Sequence, residues 1–393
     1  MKDLETRIGI NVGKASREDR GITVYTHNIL KEFNQIGPDC NFVLLHCPGS
    51  APDDKLGLDN AELEPLPYSD KHGSLVTIIN EQVLSPLHQK GLGLDVVWHP
   101  HNRSQLITPV GYVATMHDVL PIAKPELAGK YLNSWQKKVL YLSRTKTAVS
   151  ADVVITVSDF SRDEIIRHLG VNGDKIVVIH SGIDRDIFKS NRSEEERARI
   201  KSTYLLPDRY LLTTGSYAPH KNQCVILDAY NQSSLAKEGV GLVMVGPNDA
   251  TGYRVGYNQV KEYAQQLGVL DKVRLLPSVP LSDLVVIYSN AEIFATASLY
   301  EGFGFTPLEA MACEVPVVVS NTTAIPEVCG NAALYANPRD ASAYANHFNA
   351  LLEDKNMRQR LVRSGLIQVE KFDWQTAAKK TLEVLNLVAM ARR

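Results

Sequence analysis

A chain of 393 residues is too long for one hydrophobic core, so two domains of ordinary size are predicted. The net charge of −2 gives no reason to expect a nucleic acid as partner. No apolar run reaches membrane-spanning length, and the first residues (MKDLETR) lack the apolar region of a signal peptide. Five cysteines without a CxxC pair indicate free thiols, so a cytoplasmic protein is predicted.

Strand-like and helical stretches alternate through the first half of the chain. Arg7–Val12 is predicted to be a strand, and the apolar spacing from Ile22 to Phe33 predicts an amphipathic helix. Ser158 is predicted to cap a helix that ends at Leu169. This alternation predicts a parallel sheet covered on both faces. Its other predicted strands are Asn41–His46, Leu94–His99, Val110–Thr115, Ala151–Val157 and Lys175–His180.

Histidines at predicted strand ends are the polar candidates of this half. His117 and Asp118 follow an apolar strand, where sheets of this class bind ligands. The alternative is that the two side chains satisfy each other at the strand end. His99 and His101 could bind a metal, but no further ligand follows at a recognisable spacing, so we interpret them as loop residues.

The segment Lys130–Lys146 mixes aromatic, aliphatic and basic residues at helical spacing. It could be a basic amphipathic surface that contacts anionic lipid. The alternative is a core helix whose charged face is solvated.

The strand–helix alternation restarts after the charged stretch 186–199, which is predicted to be a linker with a lead-in helix. Lys221 lies just before a helix predicted from Gln223, where a cation opposes the helix dipole unless an anion is bound between them. We therefore predict that Lys221 binds a phosphate. The predicted strands are Tyr210–Thr214, Gly241–Val245, Val273–Leu276, Ala291–Ala297 and Val315–Val319, and residues 340–393 are predicted to be helical with a break at Phe372–Trp374.

The stretch 298–314 (SLYEGFGFTPLEAMACE) lies between the last two of these strands. It begins as a glycine-containing loop and continues as a helix. Thr306 is predicted to be the helix N-cap, Pro307 the first helical residue, and Glu309 the partner in a capping box. A helix start at the carboxyl end of a strand is a favourable place for an anion. Glu301 in the loop and Glu309 in the first turn could therefore face one pocket.

The run from Glu301 to Glu309 (EGFGFTPLE) resembles the E-x7-E motif of retaining, nucleotide-sugar-dependent glycosyltransferases of family GT4. The segment from Gly215 to Asn222 is similar to a Gly…Pro-Arg-Lys-Asn segment of that family. The resemblance implies an α/β protein of the GT-B fold, with two Rossmann-like domains facing a cleft and a C-terminal helix that crosses back to the first domain. The expected limits are 1–186 for the acceptor-side domain, 187–205 for the linker, 206–372 for the nucleotide-sugar domain and 373–393 for the last helix.

The resemblance also implies roles for single residues. Lys221 would bind the donor pyrophosphate, Glu301 the hexose hydroxyls and Glu309 the ribose hydroxyls. His117 would lie beside the transferred sugar, with Asp118 assisting in catalysis. Further implied donor-binding residues are Gly21, Ser216, Val279, Gly302, Phe303, Gly304, Phe305, Thr306 and Leu308. Ser216 stands where many relatives have an Arg, and Arg254 is a candidate for a substitute cation.

The implied activity is transfer of a hexose, with retention, from a donor of the UDP-glucose or GDP-mannose type to a glycan or polyprenyl-linked acceptor. Neither a cofactor nor a metal is expected, and Asp184-Arg185-Asp186 is interpreted as a chance match to a metal motif. The expected setting is bacterial cell-surface polysaccharide synthesis, with peripheral contact to the inner face of the membrane. The alternatives are a GT-B nucleotide-sugar 2-epimerase and a two-lobed solute-binding protein, although the latter class is exported.

Overall fold

Parallel strands form two separate sheets in a computed structural model of the chain, which describes residues 6–13, 20–52, 55–67, 80–101, 105, 107–127, 148–190, 192–247 and 253–393. The side chains at positions 20, 80, 81 and 253–255 lie outside this description. One compact unit holds the described residues up to Ala123, those from 148 to Gly182, and Asp373–Arg393. The other unit holds Ile183–Phe372 together with residues 124–127.

The first unit contains a sheet of seven described strands, all parallel, in the order β3-β2-β1-β4-β5-β6-β7. These strands are β1 (Thr6–Gly13), β2 (Cys40–His46), β3 (Glu62–Pro65), β4 (Val96–His99), β5 (Gly111–Thr115), β6 (Val153–Thr156) and β7 (Ile176–Val178). The second unit contains six described strands, also parallel, in the order β10-β9-β8-β11-β12-β13. They are β8 (Tyr210–Thr214), β9 (Gly241–Val245), β10 (Val273–Leu276), β11 (Ile293–Thr296), β12 (Val317–Ser320) and β13 (Ala333–Ala336).

α-Helices connect most successive strands, because parallel strands are joined by crossover connections. In the described residues the α-helices are α1 (Arg20–Ile36), α2 (Ser85–Gly91), α3 (Leu120–Ala123), α4 (Asp159–Leu169), α5 (Glu194–Tyr204), α6 (Gln223–Gln232), α7 (Tyr253–Gln266), α8 (Leu281–Ser289), α9 (Phe305–Ala312), α10 (Ile325–Cys329), α11 (Ala341–Glu353), α12 (Lys355–Val369) and α13 (Trp374–Arg392). None of them has the length and apolar composition needed to cross a membrane.

The core of the first unit includes the apolar face of α1, as its sequence pattern predicts. Tyr25, Ile29, Leu30 and Phe33 are all fully buried. The last helix, α13, belongs to this unit, and its Trp374 ring lies 6.0 Å from the ring of Tyr25. The predicted return of the C-terminal helix to the first unit is therefore confirmed.

Local signals in the sequence account for several element ends. The Ser158 hydroxyl accepts a hydrogen bond from the Ser161 amide at 3.0 Å, which confirms the predicted N-cap of α4. Gly170 ends the same helix in the left-handed conformation. The predicted segment Lys130–Lys146 lies wholly outside the described residues, so its two interpretations stay predictions.

Candidate functional site

The second sheet reverses its strand order between β8 and β11, which are adjacent in space. In open parallel sheets, ligands bind beyond the carboxyl ends of the strands at such a switch point. The loop after β8 carries Lys221, and the loop after β11 carries Glu301. The topology thus brings these two predicted residues, 80 positions apart, to one edge of the sheet.

Lys221 is held in a short turn that is fastened to the neighbouring strand. Pro219–Lys221 forms a single 3-10 turn, and Asn222 follows it in the left-handed conformation at a φ of 53°. The Asn222 side-chain amide donates hydrogen bonds to the carbonyl oxygens of Ala297 (3.2 Å) and Pro338 (2.5 Å). The turn therefore has little freedom to carry Lys221 away from the site.

Lys221 and Glu301 form an ion pair in which Nζ donates to Oε1 at 2.5 Å. Both side chains are largely buried, with 18% and 16% of their surfaces exposed. Burial alone would raise the pKa of Glu301, but the charges of Lys221 and His220 outweigh it and hold that pKa below its ordinary value. Glu301 is consequently a carboxylate. The Lys221 ammonium group has three N–H donors, so it can also donate to a second acceptor.

The backbone of Glu301 is fixed by the turn that follows β12. Its amide donates to the hydroxyl of Thr323 at 3.2 Å, and its carbonyl accepts from the amide of Ala324 at 3.4 Å. Thr323 has a φ of 60°, a left-handed conformation that is rare for a β-branched residue. Such strained positions persist only where surrounding contacts hold them, and they cluster at functional sites.

Helix α9 begins two positions earlier than its sequence signals predict. Gly304 is the N-cap, with a φ of 117° and no side chain to cap the helix. A side chain at this φ would be strained, and its Cβ would lie 2.7 Å from the Ile325 Cδ1 atom, which would have to move. The prediction that Thr306 caps the helix is therefore wrong, since Thr306 lies inside the first turn, and Pro307 is the third helical residue.

This correction changes what the helix start can do. The first amides of a helix have no intrahelical partner, and a glycine N-cap supplies no oxygen to accept from them. The predicted capping box is also wrong, because the Glu309 carboxylate turns to Tyr288 rather than to the helix start. The start of α9 thus has no side-chain cap, and the positive end of its dipole favours an anion there.

Glu309 accepts a hydrogen bond at Oε2 from the Tyr288 hydroxyl at 2.6 Å, and that hydroxyl lies 2.6 Å from Thr214 Oγ1. Glu309 is partly buried and Tyr288 is fully buried. Burial raises the pKa of Glu309, against the opposing effects of the Tyr288 hydrogen bond and the Lys221 charge. The pKa of Glu301 is lowered and that of Glu309 is raised, so the two carboxylates have different environments.

The other predicted donor-binding residues of this unit lie in the segments after β8, β10 and β11 and in the first turn of α9, and they differ in which groups a ligand could contact. Val279, Phe303 and Leu308 have buried side chains, so only their main-chain groups are available to a ligand. The rings of Phe303 and Phe305 pack edge to face at 5.0 Å. Ser216 follows β8 and is partly exposed, as are Gly302 and Thr306. The side chain of Arg254, the candidate substitute cation, is among those outside the description.

Three further predicted residues belong to the first unit. Nε2 of His117 lies 2.9 Å from the Pro100 carbonyl, and the His117 ring stands edge-on to Tyr25 with 4.7 Å between centroids. The Asp118 carboxylate accepts from the amide of Leu120 at 3.0 Å. Gly21 lies in the first turn of α1, where a Cβ would meet no described atom within 4 Å. Roles for these three residues stay predictions.

His99 and His101, the lesser pair, also belong to the first unit. Their rings are nearly parallel with centroids 6.2 Å apart. Nε2 of the buried His99 lies 3.3 Å from the Asn11 side-chain amide nitrogen. His99 is therefore a buried residue at the end of strand β4 and not a loop residue.

Sequence reasoning missed the residues that hold the candidate site in place. Tyr288 occupies an apolar helix and has the pattern of a core residue, while Thr214 ends a buried strand. Asn222 and Thr323 act through left-handed backbone positions that no spacing pattern reveals. The only signal for Asn222 was its type, since Asn adopts that conformation more readily than most residues.

Two family models match the chain: "Glycosyltransferase Family 4" over residues 20–187 and "Glycosyl transferases group 1" over residues 194–367. The O-antigen chain mannosyltransferase B of Escherichia coli is 33% identical over 302 residues, and the match covers 75% of each chain. The O-antigen chain mannosyltransferase RfbU of Salmonella typhimurium is 30% identical over 231 residues, which is 58% of each chain.

Among solved structures, HepE of Anabaena in complex with UDP and glucose superposes with a TM-score of 0.73 at 19% identity, over 97% of this chain and 100% of that one. That likeness concerns the fold, whereas the match to mannosyltransferase B concerns the sequence over three quarters of both chains. The chain is therefore an enzyme that belongs to family 4 of the glycosyltransferases and has the GT-B fold.

Proposed function

We propose that the enzyme is a retaining mannosyltransferase that moves mannose from GDP-mannose to a glycan or lipid-linked acceptor during assembly of a bacterial surface polysaccharide. The choice of mannose is supported by the two O-antigen mannosyltransferases that it resembles at 33% and 30% identity. A UDP-glucose donor has less support, since the UDP complex of HepE comes from a protein only 19% identical. The epimerase alternative gains no support from these relatives.

The observation that carries the proposal is the cluster of Lys221, Glu301 and the uncapped start of α9. In glycosyl transfer, the departing diphosphate gains negative charge while the anomeric carbon becomes oxocarbenium-like. Groups aimed at the developing charge before reaction stabilise the transition state most effectively. We expect Lys221 and the start of α9 to bind the diphosphate, with Glu301 and Glu309 accepting hydrogen bonds from the hexose and the ribose.

The bond between the anomeric carbon and the phosphate oxygen breaks, and a bond from the same carbon to the acceptor oxygen forms on the same face. The proton of the acceptor hydroxyl passes to the departing phosphate. We expect His117 and Asp118 to assist at the reacting sugar, as the family resemblance implies. The reaction proposed in this way requires no metal and no cofactor. Exclusion of water matters, because hydrolysis of the donor competes with transfer.

The experiment that tests this function compares GDP-mannose with UDP-glucose. We expect GDP-mannose, but not UDP-glucose, to raise the melting temperature of the purified enzyme, because a ligand that binds the folded state stabilises it. We also expect mannose to be transferred to an acceptor extract from a strain that makes a mannose-containing surface polysaccharide. NMR of the product should show the α-mannosidic configuration of the donor.

Stabilisation by UDP-glucose with none by GDP-mannose would refute the proposed donor. An inverted product would refute retention. Conversion of the nucleotide sugar to its 2-epimer without an acceptor would favour the epimerase instead. The melting temperatures are measured on the purified enzyme, whereas the product configuration and the epimer are read from incubations with and without the acceptor extract.

A further inference from the structure

Three elements meet at the Tyr288 hydroxyl. Tyr288 lies on α8, Thr214 ends β8, and Glu309 lies on α9, and both contacts of the hydroxyl measure 2.6 Å. Tyr288 has no exposed surface, and its ring packs against Phe294 at 5.7 Å. The hydroxyl is therefore fixed by packing as well as by hydrogen bonds.

The chemistry of the three groups sets the direction of these bonds. A carboxylate only accepts, so the single proton of the Tyr288 hydroxyl goes to Glu309 Oε2. The remaining contact then requires Thr214 to donate to the Tyr288 oxygen. Burial raises the pKa of Tyr288 well above its ordinary value, so the hydroxyl keeps its proton. One oxygen of Glu309 is thus occupied, and Oε1 is left to accept from a ligand.

Other buried tyrosines of this unit use their hydroxyls differently. Tyr210, Tyr230 and Tyr344 donate to the main-chain carbonyls of Ile287, Val240 and Thr296. Those contacts satisfy backbone groups within the core. The hydroxyl of Tyr288 instead bonds to two side chains, one of them the carboxylate expected to bind the donor ribose.

We propose that Tyr288 is a positioning residue that orients Glu309 toward the ribose hydroxyls of the donor, with Thr214 holding the tyrosine in turn. The inference rests on the proposed function, because it needs a nucleotide bound beside Glu309. If Tyr288 has this role, selectivity for a ribonucleotide over a deoxyribonucleotide depends on Tyr288, although Tyr288 itself is not expected to contact the donor.

Tyr288→Phe removes the hydroxyl and keeps the ring, and Tyr230→Phe is the matched control. The Kd values of GDP and 2′,3′-dideoxy-GDP are measured by calorimetry for the full-length enzyme. We expect Tyr288→Phe to weaken GDP binding about tenfold, as for loss of a hydrogen bond to a charged group. Dideoxy-GDP binding should be unchanged, since that ligand has no hydroxyls for Glu309. Tyr230→Phe should leave the ratio of the two Kd values as it is in the wild type.

Three further readouts separate positioning from a general loss of structure. The KM for GDP-mannose should rise about tenfold in Tyr288→Phe with little change in kcat, as for an interaction made equally in the ground and transition states. In a Glu309→Ala background, which leaves the Tyr288 hydroxyl no acceptor at position 309, Tyr288→Phe should cause no additional loss of GDP affinity. Thr214→Val, like Tyr288→Phe, should lower the selectivity for GDP over dideoxy-GDP. It serves as the second variant if Tyr288→Phe does not fold.

The pH below which GDP binding is lost, which we call the acid limit of donor binding, offers an independent test. The groups that act on Glu309 are the Tyr288 hydroxyl and Lys221, which lower its pKa, while Cys313 is a further titratable neighbour. Loss of the Tyr288 hydrogen bond should raise the pKa of Glu309, so GDP binding should be lost at a higher pH than in the wild type. An unchanged acid limit would contradict the proposal.

An equal loss of GDP and dideoxy-GDP affinity in Tyr288→Phe would overturn this inference and leave the proposed function intact. If the wild type binds UDP rather than GDP, the proposed donor is wrong, and the same ratio is measured with UDP and its dideoxy form. If it binds neither nucleotide, both proposals are overturned.

Discussion

Replacement of Glu309 by alanine is expected to abolish the stabilisation of the enzyme by GDP. For the wild type at a GDP concentration of about 100 Kd, the melting temperature should rise by roughly 5–10 °C. Glu309→Ala removes the carboxylate that accepts from the ribose, so little or no rise should remain. The variant also deprives the Tyr288 hydroxyl of its acceptor, and we expect the baseline free energy of unfolding to fall by about 1 kcal/mol.

The quantity to compare is therefore the difference in melting temperature with and without GDP, measured by differential scanning fluorimetry. Glu353→Ala is a suitable control, because Glu353 is an exposed glutamate at the end of α11. It should retain the full rise. A full rise in Glu309→Ala as well would remove Glu309 from the donor site.

Replacement of Lys221 by alanine is expected to lower kcat by about 10²–10³-fold, the usual effect of removing one preorganised donor to a developing negative charge. Binding of GDP should weaken as well, because the diphosphate loses a cation. Transfer rates with GDP-mannose measure the first effect, and calorimetry with GDP measures the second. Lys261→Ala, an exposed lysine on α7, provides the control and should keep wild-type activity.

Lys221→Ala should also reverse the pH dependence that Glu301 gives to stability. In the wild type, the pKa of Glu301 lies below its ordinary value, so its stabilising contribution is present above that ordinary value and is lost as the pH falls through the folded-state pKa. Without Lys221, burial dominates and should raise the pKa of Glu301, so the variant should become less stable as the pH rises. Urea unfolding at about pH 5 and about pH 8 distinguishes these slopes.

The double variant Lys221→Ala/Glu301→Gln separates the two roles of the ion pair. Removing the uncompensated charge should recover part of the lost stability, since an unpaired buried charge is what the single variant leaves behind. Activity should stay low, because neither the cation nor the hexose acceptor is restored. Recovered transfer in the double variant would contradict the role assigned to Lys221.

Continuous apolar runs were the most reliable guide to the fold. The second-sheet strands Tyr210–Thr214, Gly241–Val245 and Val273–Leu276 have the bounds that the sequence predicts, because each is a mostly apolar run followed by Gly or Pro. Strands β3 (ELEP) and β13 (ALYA) were not predicted. Both are edge strands of four residues with partly exposed side chains, and such strands carry no long apolar run.

The chemistry of the candidate site was predictable only in part. Lys221 could be named because a cation at a helix start opposes the dipole unless an anion is bound between them. Glu301 and Glu309 could be named from the glycine loop and helix start that they flank and from the resemblance to the E-x7-E motif. The N-cap of α9 could not be assigned correctly, since Thr306 has the better intrinsic preference and only tertiary contacts favour Gly304. The Tyr288 contact with Glu309 spans 21 residues and depends on how α8 and α9 pack, which periodicity does not reveal.

A crystal structure of the enzyme with GDP tests the central claim most directly. The account predicts that the β-phosphate lies within hydrogen-bond distance of Lys221 Nζ and of an amide at the start of α9, with Glu309 Oε1 accepting from the ribose. A diphosphate bound away from Lys221, or a ribose that makes no contact with Glu309, would contradict it.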